Sequence, residues 1–316
     1  MSEFVSPVTR QKTLKSRIDC SGVGLHSGRR VTLTIGPAPV DSGIRFKRTD
    51  AAGKGAVIEA RWDRVVDTQL CTVIGNGEGV VIGTIEHLMA AFLGTGIDNA
   101  TVEIDGPEAP IMDGSADAFV FLMECAGIVE QSAPRKRIKI LKRITVGDER
   151  SSASLSPAPF MALDFALDFS NKAIGRQEKS VRLTEGAFKR ELSRARTFGF
   201  AEDVEHLRKA GLVRGGSLDN AIVIGADRVL NREGLRYGDE FVRHKLLDAM
   251  GDLYLAGAAI EGRFSGVRSG HAMNNRLLRA LFADSDAWTV IDDVDAPIGW
   301  DAPVGWNADE MQQATA

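Results

Sequence analysis

His244, Asp248 and Asp252, in the stretch Phe241-Val-Arg-His-Lys-Leu-Leu-Asp-Ala-Met-Gly-Asp252, recur every fourth residue. On a helix, side chains at i and i+4 stand one above the other, about 5–6 Å apart at Cβ. An imidazole and a carboxylate placed that way can grip one metal ion, and nitrogen and oxygen ligands suit Zn²⁺. Asp252 lies a turn further on, too far to be an obvious ligand, and could orient another group instead. The same spacing also describes a polar helix face with a His–Asp pair. Lys245 points about 100° around an ideal helix from His244, so solvated surface is its default and anion binding its alternative.

Catalytic zinc usually takes three protein ligands and keeps one position for water. Of the other histidines, His87 is the best third ligand, because Glu86 beside it could serve as general base toward water. This is not the arrangement in which both histidines and the glutamate share one helix. A lone Glu-His pair also fits a surface or capping position. His271 follows Ser269-Gly270 at the start of a helix, next to Asn274 and Asn275. It reads either as a capping or core histidine, or as a charged imidazole held protonated by a carboxylate such as Asp252. His206, inside a charged helix, reads as solvent-facing.

The elements that must position these residues follow from periodicity. Leu246, Leu247, Met250 and Leu253 give the His244 helix an apolar side. Strands are expected over 10–24 in part, Val31–Ile35, Gly43–Arg48, Ala56–Ala60, Thr68–Ile74 and Asn99–Ile104. Thr84 is the expected N-cap of a helix carrying Glu86 and His87. Later strands are expected over 137–146, 152–156, 160–169, 221–224, 259–267 and 288–291, with Met161, Leu163, Phe165, Leu167 and Phe169 on one face. Helices are expected over 184–195, 202–210 and 271–282. Helix 85–94, strand 99–104 and helix 116–127 parallel helix 241–256, strand 259–267 and helix 271–282, as a duplicated plan would. The polar run 131–137 reads as a linker between domains 1–130 and 138–298, with 299–316 a flexible tail.

A hydrophobic content of 44% and a charged content of 26% are globular values. A net charge of −4 argues against a nucleic-acid partner. Cys20, Cys71 and Cys125 are an odd set without metal-like spacing, which points to a reducing cytoplasm. No signal core or membrane-spanning run is evident, and a cytoplasmic monomer is expected.

Six segments resemble one family in order along the chain. They are Gly22-Val-Gly-Leu-His-Ser-Gly28, Thr84-Ile-Glu-His-Leu88, Ile111-Met-Asp-Gly-Ser115, Ser193-Arg-Ala-Arg-Thr-Phe-Gly-Phe200, Phe241–Asp252 and Ser269-Gly-His-Ala-Met-Asn-Asn275. The family is UDP-3-O-acyl-N-acetylglucosamine deacetylase, the zinc amidase of lipid A biosynthesis. The resemblance, over about 10–295, implies an α+β fold of two similar sheet-plus-helix domains packed through their helical layers around a zinc site. It implies one Zn²⁺ held by His87, His244 and Asp248, with Glu86 as general base and His271 as acid or oxyanion stabiliser oriented by Asp252. By the same resemblance Thr197 contacts the oxyanion and Lys245 lies near the substrate's polar head. Phe198, Leu207, Leu212, Gly216, Ser217, Leu218 and Arg268 would contact an acylated UDP-N-acetylglucosamine, several of them along a passage for its acyl chain. The rivals are a zinc hydrolase of another substrate, such as a peptidase, and a non-catalytic binding module.

Overall fold

The computed structural model describes residues 9–51, 57–184 and 186–292. The tail expected from 299, and Ala56 at the start of one expected strand, lie outside those residues. Two five-stranded sheets carry the architecture. The first runs in the order Ile18–Val23, Arg30–Pro37, Ala100–Ile104, Ile44–Arg48, Val57–Glu59. The second runs Ile144–Gly147, Ser152–Ser156, Arg263–Val267, Ala162–Asp168, Arg176–Arg182. In both, the third and fourth strands pair parallel and every other neighbour pairs antiparallel. The expected duplication is therefore present in strand order and polarity.

Strand alternation sets the faces. Arg30–Pro37 buries Val31, Leu33 and Ile35 and turns Arg30 and Thr32 outward. Met161, Leu163, Phe165 and Leu167 share the buried face of the second sheet, as their spacing predicts. Six helices are described: α1 (Glu86–Thr95), α2 (Asp117–Ala126), α3 (Ala187–Glu191), α4 (Ala201–Lys209), α5 (Glu240–Tyr254) and α6 (His271–Ala283). α2 packs on Ile18–Val23 and on α1, while α5 and α6 pack on the second sheet and on each other.

The two halves meet through α1 and α5. α1 is buried from Glu86 to Leu93, as a helix covered on all sides must be. It stops at Gly96, whose positive φ of 75° lets its N–H close back on Leu93. On α5, a Cβ at Gly251 would fall 1.9 Å from the Glu86 carbonyl oxygen. The helices therefore touch backbone to backbone, which only glycine permits. Tyr254, at the end of α5, donates its hydroxyl to the Ile97 carbonyl beyond α1 at 2.7 Å. One continuous apolar core spans both halves.

Several expectations need correction. Residues 68–72 are not strand: strands occupy only Val65–Asp67 and Val73–Gly75. The Thr72 N–H donates to the Glu86 carboxylate and not to a neighbouring strand. Thr84 does not cap α1, because its φ is 55° and its hydroxyl donates to Glu108. The run 131–137 is not an open linker but two strands, Ile128–Pro134 on Arg10–Leu14 and Lys136–Ile140 on Trp288–Asp292, separated only by Arg135. Its polar side chains bond across the fold, as when Asn99 donates to Gln131 and Arg135 to Asp98. The helix expected over 184–195 shrinks to α3. The strand Arg176–Arg182 was not expected, since its charged residues alternate with polar ones. It is an edge strand, where charge discourages pairing with other chains.

Gly251→Ala tests the contact on which this packing rests. Helix propensity alone would make the substitution favourable by about 1 kcal/mol. Overpacking costs roughly 1–3 kcal/mol or more, and here the new atom meets backbone, which cannot rotate away. The expected net loss is about 2 kcal/mol, read as a lower urea midpoint with unchanged slope. A neutral or stabilised variant would contradict the close approach.

Candidate metal centre

α1 and α5 bring one group of side chains together from opposite halves. His87, His244 and Asp248 are all buried, and they offer ligand atoms within 4.8 Å of one another. Nε2 of His244 lies 3.2 Å from Asp248 Oδ1, and Nε2 of His87 lies 3.5 Å from the same oxygen. That oxygen is buried and accepts no hydrogen bond from the protein. The two rings stand edge to face, 5.0 Å between centroids.

The surroundings fix His244 and Asp248 in the form that metal binding requires. His244 Nδ1 is 3.0 Å from the Ala195 carbonyl, so its proton sits there and the Nε2 lone pair faces Asp248. Burial pushes the His244 pKa down to about 3, which keeps the ring neutral. Burial works against the Asp248 carboxylate too. The Lys245 ammonium beside it nonetheless holds its pKa well below the ordinary value. Lys245 Nζ bonds Asp248 Oδ2 at 2.5 Å. Lys245 is thus not merely solvated surface: it pairs with one oxygen of the carboxylate and leaves the other without a protein hydrogen bond. Two imidazoles and a carboxylate with an unpartnered oxygen suit a divalent ion.

Beside this group stands a second one. Asp252 Oδ2 accepts from His271 Nδ1 and from Asn274 Nδ2, each at 2.8 Å, and Asp252 Oδ1 accepts from the Thr72 hydroxyl at 2.5 Å. A cation at a helix N-terminus faces the positive end of the dipole, and burial also opposes charge on His271. Asp252 outweighs burial and carries the His271 pKa up to about 9. His271 is therefore an imidazolium at neutral pH, with Nδ1 engaged and Nε2–H left to donate. Glu86, held by the Thr72 N–H at 3.0 Å, has its pKa raised above the ordinary carboxylate value by burial.

The other expected residues sit at varying removes. Phe198 reaches the group, its ring 6.2 Å from that of His244 and 5.0 Å from that of Phe241. Thr197 lies between Phe198 and Arg196, its N–H on Gly114 and its carbonyl on Ile222. Arg196 is buried against Glu240, at the start of α5, and so locks both Thr197 and the Ala195 carbonyl to the helix that bears His244. Leu207 and Leu212 are half-buried, Gly216 packs beside Leu25, and Ser217, Leu218 and Arg268 are exposed. Among the described residues none of these six contacts the metal group in the structure.

Four contributors escaped the sequence reading. Thr72 joins Glu86 to Asp252 from a segment mistaken for strand. Asn274 and the Ala195 carbonyl orient a neighbour each. Glu108 accepts the backbone N–H groups of His26 and Ser27, and the Thr84 hydroxyl. His26 is buried near enough to His271 for their charges to repel, and both its ring nitrogens lack a protein partner. The one available signal was the glycine-rich setting of His26, Gly22-Val-Gly-Leu-His-Ser-Gly28. Six described non-glycine positions are left-handed, and three of them, Leu70, Thr84 and Arg268, with φ of 63°, 55° and 48°, shortly precede Thr72, Glu86 and His271. Such conformations cost about 1–3 kcal/mol each and gather at functional sites.

A family model described as UDP-3-O-acyl N-acetylglycosamine deacetylase matches residues 11–283. The UDP-3-O-acyl-N-acetylglucosamine deacetylase of Shewanella halifaxensis is 51% identical over 92% of this chain and 96% of its own length. That of Shewanella loihica is 52% identical over 89% of this chain and 92% of its own. The Shewanella oneidensis protein of the same name is 50% identical over 92% of this chain and 96% of its own length. With a match of that extent and identities of that level, the chain belongs to the UDP-3-O-acyl N-acetylglycosamine deacetylase family.

Proposed function

We propose that the protein is a zinc-dependent amidohydrolase that removes the 2-acetyl group of UDP-3-O-(3-hydroxyacyl)-N-acetylglucosamine. The products are acetate and the free amine, and the reaction is the committed step of lipid A biosynthesis. The observation that carries this reading is the convergence of His87, His244 and Asp248 beside a buried Glu86 and a His271 bonded to Asp252. A binding module would have no use for the last two, and family membership separates this amide substrate from a peptide. In this reading two domains, residues 1–130 and 138–298, share the site. The enzyme acts as a monomer in the cytoplasm, which suits its three unpaired cysteines.

Zinc held by the three ligands supplies Lewis acidity, polarising the acetamide carbonyl and acidifying a water molecule. Glu86 accepts the proton of that water as its oxygen attacks, and the raised pKa of the carboxylate makes it a better base than an ordinary glutamate. The Thr197 hydroxyl and His271⁺ stabilise the oxyanion as the tetrahedral intermediate forms. When the C–N bond breaks, the amine takes the proton that His271 carries on Nε2. Asp252, fixed by Thr72 and Asn274, positions that imidazolium. Lys245 orients Asp248 and presents its charge toward the polar head of the substrate. Phe198, Leu207, Leu212, Gly216, Ser217, Leu218 and Arg268 contact the acylated sugar, the leucines along its chain.

Metal analysis separates ligand from base. His87→Ala or Asp248→Ala is expected to strip the protein of its one zinc on dialysis, whereas Glu86→Ala keeps the zinc and loses turnover. A Glu86→Ala protein that loses zinc as readily as the ligand variants would remove Glu86 from the role of base.

The His271 pKa sets the alkaline limb of the pH profile. Its proton is required, and its pKa is raised, so activity is full below that pKa and falls as pH rises through it. The limb lies at about 9, or lower where the cationic metal opposes the imidazolium. His271→Ala is expected to lose most activity and to alter that limb. Near-normal turnover with an unchanged profile would exclude His271.

Substrate identity is tested by removing the acyl chain. Each buried methylene contributes roughly 0.8 kcal/mol at most, which a dedicated enzyme can use to position the acetamide. The unacylated nucleotide sugar is expected to lose at least ~100-fold in kcat/KM, about 2.7 kcal/mol. Leu207→Asp or Leu218→Asp is expected to harm the acylated substrate more than the unacylated one. Equal processing of both substrates would leave a zinc amidase of another target.

A further inference from the structure

The end of the chain carries a tandem repeat that the reaction does not use. Residues 295–300 read Asp-Ala-Pro-Ile-Gly-Trp and residues 301–306 read Asp-Ala-Pro-Val-Gly-Trp, a pair differing by one methylene. Trp300 and Trp306 are two of the four tryptophans in the protein. Tryptophan is a favoured anchor of protein–protein contacts. The proline of each repeat restricts its backbone before binding, and extended proline-containing segments dock in aromatic-lined grooves.

A groove of that kind lies where the two halves meet, with a volume of about 630 Å³. Ligand sites run from roughly 300 to 1,000 Å³. Its aromatic wall is continuous: Trp62 stacks on Phe282 at 5.1 Å, and Phe282 meets Trp288 edge-on at 5.0 Å. Val290, on the rim, is 52% exposed. None of the residues assigned above to metal, base, acid or substrate lines it.

The chain leaves the described structure at this groove. The strand Trp288–Asp292 forms one of its edges, with Trp288 opposite Ile140 and Asp292 opposite Lys136, which also lines the groove. Strand alternation turns Trp288 and Val290 to the groove and Thr289 away from it. Trp300 follows Asp292 by eight residues and Trp306 by fourteen. At ~3.3 Å per residue those lengths span up to about 26 Å and about 46 Å, enough for either copy to fold back. Residues 293–316 hold five carboxylates and no lysine or arginine. Arg279 lies over the Trp62 ring at 5.7 Å and donates to Asn275 and to the Trp62 and Val65 carbonyls, which holds the aromatic wall in place.

We propose that this groove is the docking site of the chain's own C-terminal repeat, with Trp300 or Trp306 seated against Trp62, Phe282 and Trp288. The tether makes docking intramolecular, at an effective concentration on the order of 1 mM. Weak intrinsic affinity therefore suffices. The two copies are interchangeable occupants of one groove, which leaves the second copy free while the first is bound.

The test uses a fluorescein-labelled peptide of residues 295–306 and the full-length protein, read by anisotropy. The double variant Trp300→Ala/Trp306→Ala, with its groove vacated, is expected to bind the peptide. For an intrinsic Kd of about 50 µM, the unmodified protein would bind it about twenty-fold more weakly, because its own repeat competes. Adding Val290→Glu to the double variant is expected to abolish binding, whereas adding Thr289→Glu, on the opposite face of the same strand, leaves it intact. Equal affinity of the unmodified protein and the double variant would overturn the proposal, as would binding that ignores Val290→Glu. An unmodified protein that is dimeric, and becomes monomeric on the double substitution, would also overturn it, giving the groove to the repeat of a second copy.

Discussion

The approach of α5 to α1 at Gly251 is the constraint from which the rest follows. With the Gly251 Cα against the Glu86 carbonyl, the first turn of α1 lies beside the last turn of α5. His87 on one helix then reaches the same oxygen of Asp248 as His244 on the other. Any bulk at Gly251 would part these residues, and neither half contains all three groups alone. The duplicated sheets matter because they deliver two equivalent helices to one interface. Each copy then contributes one histidine, and the second copy adds the carboxylates of α5.

Charge explains why the site is built around a cation. Three carboxylates, Glu86, Asp248 and Asp252, are buried within a short span, and Lys245 and His271⁺ are the cations set against them. One negative charge is left over, and an uncompensated buried charge is costly. The protein alone accommodates it by raising the Glu86 pKa. A divalent ion held between His87, His244 and Asp248 would reverse the balance, leaving an excess positive charge beside Glu86 and His271. Asp252 has no role as a ligand because its oxygens are spent on Thr72, Asn274 and His271.

Much of this was legible in the sequence. The four-residue spacing of His244, Asp248 and Asp252 placed them on one helix face, and alternation marked the strands that bury Leu33 or Leu163. The neighbouring Glu86 pointed to His87 as the third member of the group. What escaped reading depends on contacts distant in sequence. Thr72 carries no periodic signal, and its role arises from an N–H turned away from strand pairing. Lys245 read as surface because helix geometry alone ignores a flexible side chain that can fold back onto Asp248. The run at 131–137 read as a linker because its polar residues find partners such as Asn99 and Asp98, some thirty residues away. Left-handed backbone at Thr84 is invisible in a residue type that normally avoids it.

X-ray absorption on the zinc-loaded, substrate-free protein tests the ligand assignment most directly. Buried Cys71 lies near enough to Glu86 for their charges to interact, and a thiolate is the natural competitor for zinc. If His87, His244 and Asp248 are the ligands, the first shell holds only nitrogen and oxygen at roughly 2.0–2.2 Å, with outer-shell scattering from two imidazoles. A sulfur at about 2.3 Å, or scattering from fewer than two imidazoles, would contradict the assignment.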